Sequence, residues 1–136
     1  MRVLLLLLTL TFGGIAHAQS EAERLAVQSA IERQLNAFLA DDAATAYSFA
    51  APNITARFPT DEIFMEMVRQ GYRPVYRPRS WSFGPIRETA GQIEQIVDII
   101  DAEGVEWTAR YVLEKQPDGS WKITACYLLK KPGEMA

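Results

Sequence analysis

The N-terminal half of the chain carries apolar residues at helical spacing. After the stretch SEAE at residues 20–23, which has the form of a capping box, apolar side chains recur every three or four residues. This pattern predicts a long amphipathic helix over about residues 20–39. Asp41-Asp42 can cap a second, Ala-rich helix, which we expect to end before Pro52 because the residue preceding a proline is disfavoured in the helical region.

Residues 60–71 predict a third, shorter helix. Thr60 can cap it, acidic residues follow in the first turn, and Gly71 can end it. One side of this helix carries the apolar residues that we expect to be buried. They are Ile63, Phe64, Met67 and Val68.

The pattern then changes from helical to alternating. We predict strands over residues 79–88, 93–99, 105–114 and 121–129, with turns at DAEG and QPDGS. In the last strand, alternation places one set of apolar side chains on the core face, and these are Trp121, Ile123, Ala125, Tyr127 and Leu129. Helices followed by an antiparallel meander predict an α+β domain, with N-terminal helices packed on one face of a curved antiparallel sheet.

Residues 1–18 have the pattern of a secretory signal peptide. A positive Arg2 precedes a short apolar run, which ends at Ala16-His17-Ala18. The run is interrupted and is shorter than the roughly 20 residues of a membrane span. We therefore expect cleavage near Ala18, a single domain over residues 19–136, a periplasmic or secreted location, and no stable membrane insertion after cleavage.

The composition of the mature chain excludes several kinds of chemistry. Removing residues 1–18 takes away Arg2 and the only histidine, and leaves 13 basic against 17 acidic residues, a formal net charge of −4. This charge argues against a nucleic-acid partner. Catalytic triads and His/Cys zinc sites lack their ligands, and no phosphate-binding glycine motif is present. We predict no cofactor and no metal, and we expect the single thiol, Cys126, to be buried.

The stretch GYRPVYRPRSWSFG at residues 71–84 mixes arginines with aromatic residues. Residues 69–87 carry five arginines and no acid, whereas residues 88–114 carry seven acids and one arginine. If these segments pair as neighbouring strands, their charges would mainly fix the register. If an anion does bind, Arg73 and Arg77 are the best candidates, because guanidinium groups bind carboxylates bidentately. The candidate ligand-binding residues are Tyr72, Arg73, Tyr76, Arg77 and Arg110.

An acid/base site is the alternative. A pocket aspartate could abstract a proton beside a carbonyl while a tyrosine donates to the developing enolate. Asp98 or Asp101 could pair in this way with Tyr72, Tyr76 or Tyr111. The simpler interpretation makes Asp98 an outward strand residue and Asp101 a turn former.

Two longer motifs carry a family resemblance. FMEMVRQGYRPVYRPRSWSFG at residues 64–84, with YVLEKQPDGSWKITACYLL at 111–129, resembles the bacterial family called domain of unknown function 4864. The order of elements is similar to the nuclear transport factor 2-like, or SnoaL-like, cone. This resemblance implies a pocket between the helices and the concave sheet, but no particular activity, since related folds host enzymes, ligand binders and assembly domains.

The sequence therefore favours an exported, non-catalytic domain of the cell envelope that binds a ligand or a protein. The ligand would be a small anionic or apolar molecule. A second interpretation of equal standing is a purely structural role in a homodimer, because such sheets commonly associate through the convex face. The alternative is a cofactor-free acid/base enzyme of the isomerase or dehydratase type, which uses a pocket carboxylate and a tyrosine.

Overall fold

The computed structural model describes residues 15–133. Five helices precede four strands: α1 (Ile15–Leu39), α2 (Ala43–Ser48), α3 (Pro52–Arg57), α4 (Asp61–Gly71), α5 (Arg73–Tyr76), β1 (Pro78–Thr89), β2 (Gln92–Asp101), β3 (Glu106–Lys115) and β4 (Trp121–Lys130). The strands form one antiparallel sheet in the order β1-β2-β3-β4. The α+β prediction is confirmed. Most of the predicted signal peptide, residues 1–14, lies outside the described residues.

The predicted caps of the helices are correct in two cases of three. Asp42 accepts a hydrogen bond from the backbone N–H of Thr45 at 3.1 Å and caps α2. Thr60 accepts one from Ile63 at 3.2 Å and caps α4. The SEAE box is wrong as a cap, because α1 already begins at Ile15. Within the described residues, no helix is long and apolar enough to cross a membrane.

Two short helices were not predicted. The first turns of α3 and α5 contain Pro52 and Pro74. Proline suits this position because its missing N–H would have no partner in the helix. Pro52 was expected only to end the preceding helix, whereas in the structure it also begins α3.

Helix α4 buries a slightly different face from the predicted one. Phe64, Met65 and Val68 are buried, Met67 is half-buried, and Ile63 is 49% exposed. The backbone N–H of Ile63 donates to the capping hydroxyl of Thr60. The Ile63 side chain lies on the solvent side of the first turn of α4.

Strands β2 and β3 follow the predicted alternation. Their side chains that point to the helices are buried: Ile93, Gln95, Val97, Ile99, Ala109, Tyr111 and Leu113. The core lies between this face and helices α1, α2 and α4. Buried Gln95 interrupts an otherwise apolar set.

The predicted alternation is wrong in the second half of β4. Leu113 pairs with Ile123, but Val112 pairs with Ala125, so Thr124 is an extra residue in β4. Such a bulge reverses which side chains face the core. Ile123 is buried, whereas Tyr127 and Leu129 are exposed.

Candidate functional site

A small cavity lies between the helices and the sheet. Its volume is about 80 Å³, and its buried end is formed by aromatic and aliphatic side chains: Phe38, Phe64, Val68, Val75, Tyr111 and Ile123. Ile54, Met67 and Tyr72 also line it and are half-buried. We therefore place the mouth of the cavity at these three residues.

The polar groups of the cavity are few and uncharged. Gln34 is buried and donates its side-chain amide to the backbone carbonyl of Ala46 at 3.0 Å, which ties α1 to α2. Tyr72, Tyr111 and Cys126 provide the other polar atoms. Among the described residues, none that lines the cavity carries a formal charge at neutral pH.

Tyr111 is the unusual member of this set. Its side chain is 1% exposed, and its hydroxyl has no hydrogen-bond partner in the described part of the chain. Cys126 is the paired residue on β4, so its thiol lies beside this hydroxyl, although the contact lacks the geometry of an ordinary hydrogen bond. Burial, and then the neighbouring thiol, raise the pKa of Tyr111 well above its usual value. The phenol is therefore neutral at physiological pH.

Cys126 is also protonated in the folded state. Burial raises the pKa of its thiol to about 12. Since the thiolate is the reactive form of cysteine, this site is chemically inert at neutral pH. The prediction of a buried Cys126 is only partly correct, because the residue is half-buried and lines the cavity.

The structure does not bring the predicted ligand-binding residues together. Tyr72 lines the cavity. Arg73 is exposed at the start of α5, while Tyr76 and Arg77 belong to a separate polar cluster. Arg110 lies on the opposite face of the sheet, where it pairs with Glu94 at 3.3 Å and covers the ring of Tyr127.

The polar cluster consists of Asp41, Arg69, Tyr76 and Arg77, and we call it the Asp41 cluster. Tyr76 donates its hydroxyl to Asp41. Arg77 donates to Asp41 at 2.6 Å and to the backbone carbonyl of Phe38 at 2.6 Å, and its guanidinium stacks 3.9 Å from the centre of the Tyr76 ring. Arg69 donates to the Tyr76 hydroxyl at 3.1 Å.

This cluster is a structural joint between the end of α1 and the α4–α5 region. Asp41 has a φ of +52°, which is unusual for a residue other than glycine. The hydrogen bond from Tyr76, followed by the hydrogen bond and charge of Arg77, holds the pKa of Asp41 below its usual value. The arginine donors are thus occupied by the protein's own acceptors.

Arg77→Gln should destabilise the domain more than a surface substitution does. We expect a loss of about 0.5–1.5 kcal/mol, from the part-buried hydrogen bond that Arg77 donates to the Phe38 carbonyl, whereas the exposed Arg73→Gln should stay within about 0.5 kcal/mol. The pKa of Asp41 is lower in the folded protein than its unfolded value of 3.8, so the ionised carboxyl stabilises the fold at a pH above 3.8. This stabilisation is lost as the pH falls through the folded pKa. The difference in the free energy of unfolding between wild type and Arg77→Gln should therefore be smaller in acid.

Urea denaturation at pH 7 and pH 3 measures both effects. Equal losses in Arg73→Gln and Arg77→Gln at pH 7 would contradict the structural role of the Asp41 cluster. A gap that widens in acid would contradict the assignment of Asp41 as the titrating group.

The cross-strand pairing of the charged segments is only partly correct. Arg87 pairs with Glu94 on β2 at 3.3 Å, which is a cross-strand pair of the predicted kind. Arg79 instead donates to the backbone carbonyl of Ala102 at 3.1 Å. Arg77 pairs with Asp41, which lies outside the acidic strand segment.

The aspartates of the proposed acid/base pair do not reach the cavity. Asp98 pairs with Lys131 at 2.9 Å. Asp101 accepts hydrogen bonds from the Trp107 indole at 2.9 Å and from the Val105 backbone at 2.8 Å. Burial raises the pKa of Asp101, but these hydrogen bonds outweigh that effect and leave it lowered. A general base near neutrality needs a raised pKa, so this pairing is not assembled.

No metal centre is evident in residues 15–133, since no group of three or more His, Cys, Asp or Glu side chains is placed to hold an ion.

The larger concave surface of the described chain is a polar groove of about 690 Å³ on the outer face of the sheet. Arg87 and Arg110 both pair with Glu94 there, and Gln92 donates to Glu114. The charged and polar side chains of this groove thus pair with one another.

Residues 20–136 match the family described as domain of unknown function DUF4864. The chain belongs to the DUF4864 family. No curated protein matches this DUF4864 chain. Two solved structures match its fold, both titled as NTF2-like proteins of unknown function, one from Shewanella baltica OS155 and one from Silicibacter pomeroyi DSS-3.

The two structural matches are distant in sequence. Each is 12% identical to the DUF4864 chain, with a TM-score of 0.59. The alignments cover 82% of this chain and 96% and 98% of the two matched chains. They show that the fold is NTF2-like, with N-terminal helices on a four-stranded antiparallel sheet. The family and the fold expected from the two sequence motifs are therefore confirmed.

Proposed function

We propose that this DUF4864 domain is an exported, non-catalytic binding domain that holds a small, uncharged and mainly apolar molecule in the cavity between helices and sheet. The observation that carries this proposal is the apolar cavity, in whose lining no described residue is charged. Ligand sites in proteins are typically apolar concavities with a few placed polar groups.

An apolar ligand suits this domain better than an anionic one. An ion placed in the cavity would lose its hydration, and no cation lines the cavity to compensate. Arg77 already donates to Asp41, Phe38 and Tyr76. Arg73 is exposed and lines no part of the cavity. Arg77 thus stabilises the fold, and no arginine of residues 71–84 lines the cavity.

Export is supported by two features of the sequence and the structure. Residues 1–18 carry the signal-peptide pattern. The single cysteine of the chain is protonated and half-buried, which suits an oxidising compartment where a fully exposed free thiol would form intermolecular disulfides. We place the mature domain in the periplasm or outside the cell.

Association of two copies through the outer face of the sheet is part of this proposal. Tyr127 and Leu129 are exposed there because of the bulge in β4. Exposed large apolar side chains grouped on one face favour a protein contact. Such a contact would leave the cavity, on the other face, free for its ligand.

Native mass spectrometry of the exported protein tests both points. The wild type should carry a bound small molecule, and the protein mass should be that of a dimer. Val68→Phe, which fills the cavity, should lose the bound mass. Ile63→Phe, on the exposed side of the same helix, should keep it.

Xenon gives a second reading that does not need the natural ligand, because it enters apolar cavities. We expect ¹²⁹Xe NMR to detect binding to the wild type and to Ile63→Phe, and little binding to Val68→Phe. Absence of both a bound molecule and xenon binding in the wild type would refute the cavity as a ligand site. A purely monomeric mass would refute only the dimer.

A further inference from the structure

The outer edge of β4 is paired over only half of its length. In the first half, Ile123 donates its N–H to the carbonyl of Phe49 at 2.8 Å and accepts from the N–H of Ala51 at 2.9 Å. The Asn53 side chain then donates to the carbonyl of Thr124 at 3.0 Å. Beyond this point, no hydrogen bond within the described part of the chain reaches the outer edge of the strand.

The second half of β4 leaves a row of backbone groups without partners. Lys131 donates its N–H to the carbonyl of Glu106, at the start of β3, at 3.0 Å. Because antiparallel pairing alternates, Leu129 and Tyr127 also direct their N–H and C=O groups to β3. The residues that alternate with these direct their backbone groups away from the sheet, and they are Cys126, Leu128 and Lys130.

This free edge lacks the usual protection against pairing. Natural edge strands are blunted by prolines, bulges or charged side chains. In β4 the bulge lies before the free segment, and the one charge of residues 126–130 is at its end, on Lys130. Tyr127 and Leu129 lie within the segment and are 54% and 70% exposed. A free edge beside exposed apolar side chains favours pairing with another strand.

We propose that two copies of this chain associate through this edge, so that β4 pairs antiparallel with β4 of the second copy about a two-fold axis at Leu128. This inference rests on the association of two copies in the proposed function and specifies its contact. It places Leu128 opposite Leu128 of the second copy, and Cys126 opposite Lys130. All of these residues direct N–H and C=O groups outward, so each pair can exchange two hydrogen bonds.

The position of the axis follows from the residues at the two ends of the segment. Moving the axis one residue towards the N terminus would place Lys130 opposite Thr124, whose carbonyl already accepts from Asn53. Moving it one residue towards the C terminus would place Cys126 opposite Pro132, which has no N–H. One residue further, Lys130 would lie opposite Lys130, and like charges in that position are unfavourable. The proposed axis avoids all three conflicts.

The exposed apolar side chains meet in the same register. On the outer face of the sheet, Tyr127 lies opposite Leu129 of the second copy, and Leu129 lies opposite its Tyr127. These are non-hydrogen-bonded pairs, in which side chains of neighbouring strands approach most closely. The register therefore removes from water the large apolar side chains that the bulge in β4 exposes. It forms a closed, two-fold symmetric contact.

Amide hydrogen exchange of the exported protein tests the contact. Rates are measured residue by residue at protein concentrations below and above the dissociation constant of the dimer, which sedimentation equilibrium supplies. We expect the amides of Cys126, Leu128 and Lys130 to exchange about tenfold or more slowly in the dimer. The amides of Tyr127 and Leu129 bond to β3 and should be protected equally at both concentrations. Two sheets stacked face to face would not protect amides at the edge.

A substitution at Lys130 separates the backbone contact from the side chain. Lys130→Pro removes one outward N–H from each copy, and an edge strand tolerates proline where its N–H faces away from the sheet. We expect the dissociation constant of the dimer to rise about tenfold or more. Lys130→Ala keeps the N–H and should change this constant by no more than about twofold.

The possible outcomes distinguish this inference from the proposed function. A dimer whose edge amides exchange rapidly, or equal effects of Lys130→Pro and Lys130→Ala, would overturn the edge contact and leave the dimer. Slow exchange of these amides in the monomer would show that another segment of the same chain covers the edge, and would also overturn the contact. A protein that stays monomeric would overturn both the edge contact and the proposed dimer, but not the cavity as a ligand site.

Discussion

Replacing Gln95 with leucine should lower the free energy of unfolding by about 1–3 kcal/mol, the cost of leaving buried hydrogen-bond partners unsatisfied. The side chain of Gln95 is 0% exposed. Its amide nitrogen donates to the backbone carbonyls of Gly84 at 3.0 Å and Ile96 at 2.7 Å. Its oxygen accepts from the Gln28 amide at 3.1 Å. Leucine has a similar volume but leaves all three partners without their hydrogen bonds.

Gln92→Leu is the matched control on the same strand. Gln92 is exposed and donates to Glu114 at 2.8 Å, so its replacement should change stability by no more than about 0.5–1 kcal/mol. Urea denaturation followed by circular dichroism measures both variants. A loss below about 1 kcal/mol for Gln95→Leu would show that water replaces these hydrogen bonds, and that Gln95 does not hold β1 in place.

The alternation of β2 predicts that Gln95 is buried, but it does not predict why a polar residue is needed there. The alternation of β2 correctly identifies the buried face, and Gln95 occupies an inward position between Ile93 and Val97. The need for a polar group arises from the irregular pairing of β1 between Phe83 and Ile86, which leaves backbone carbonyls without regular strand partners. That irregularity depends on the pairing of two strands and has no local signal in β2.

The arginine-rich stretch shows the same limit. Alternation and charge predicted pairing between the arginine-rich and the acidic strand, and the Arg87–Glu94 contact is one such cross-strand pair. Arg77 and Asp41 are 36 residues apart in the sequence. Arg77 directly precedes β1, and Asp41 lies just after the end of α1. Their contact follows from how α1 and α5 pack, which hydrophobic periodicity alone does not determine.

The cavity was expected from the family resemblance, but its chemistry was not. Tyr111 was named only as a possible partner of a carboxylate, and Cys126 only as a buried thiol. Their contact depends on the register of β3 with β4, including the extra residue Thr124. A bulge of one residue reverses the facing of every side chain that follows, so it also decides what lines the cavity.

Ile123→Ala and Leu129→Ala should therefore differ sharply, although strict alternation places both residues on the core face. Ile123 is 6% exposed and lines the cavity, so its truncation should destabilise the domain by about 2–5 kcal/mol. Leu129 is 70% exposed beyond the bulge, and its truncation should change stability by no more than about 0.5 kcal/mol in the monomer. Urea denaturation at low protein concentration measures both. Comparable losses in the two variants would mean that β4 has no bulge at Thr124, and that Cys126 faces away from Tyr111.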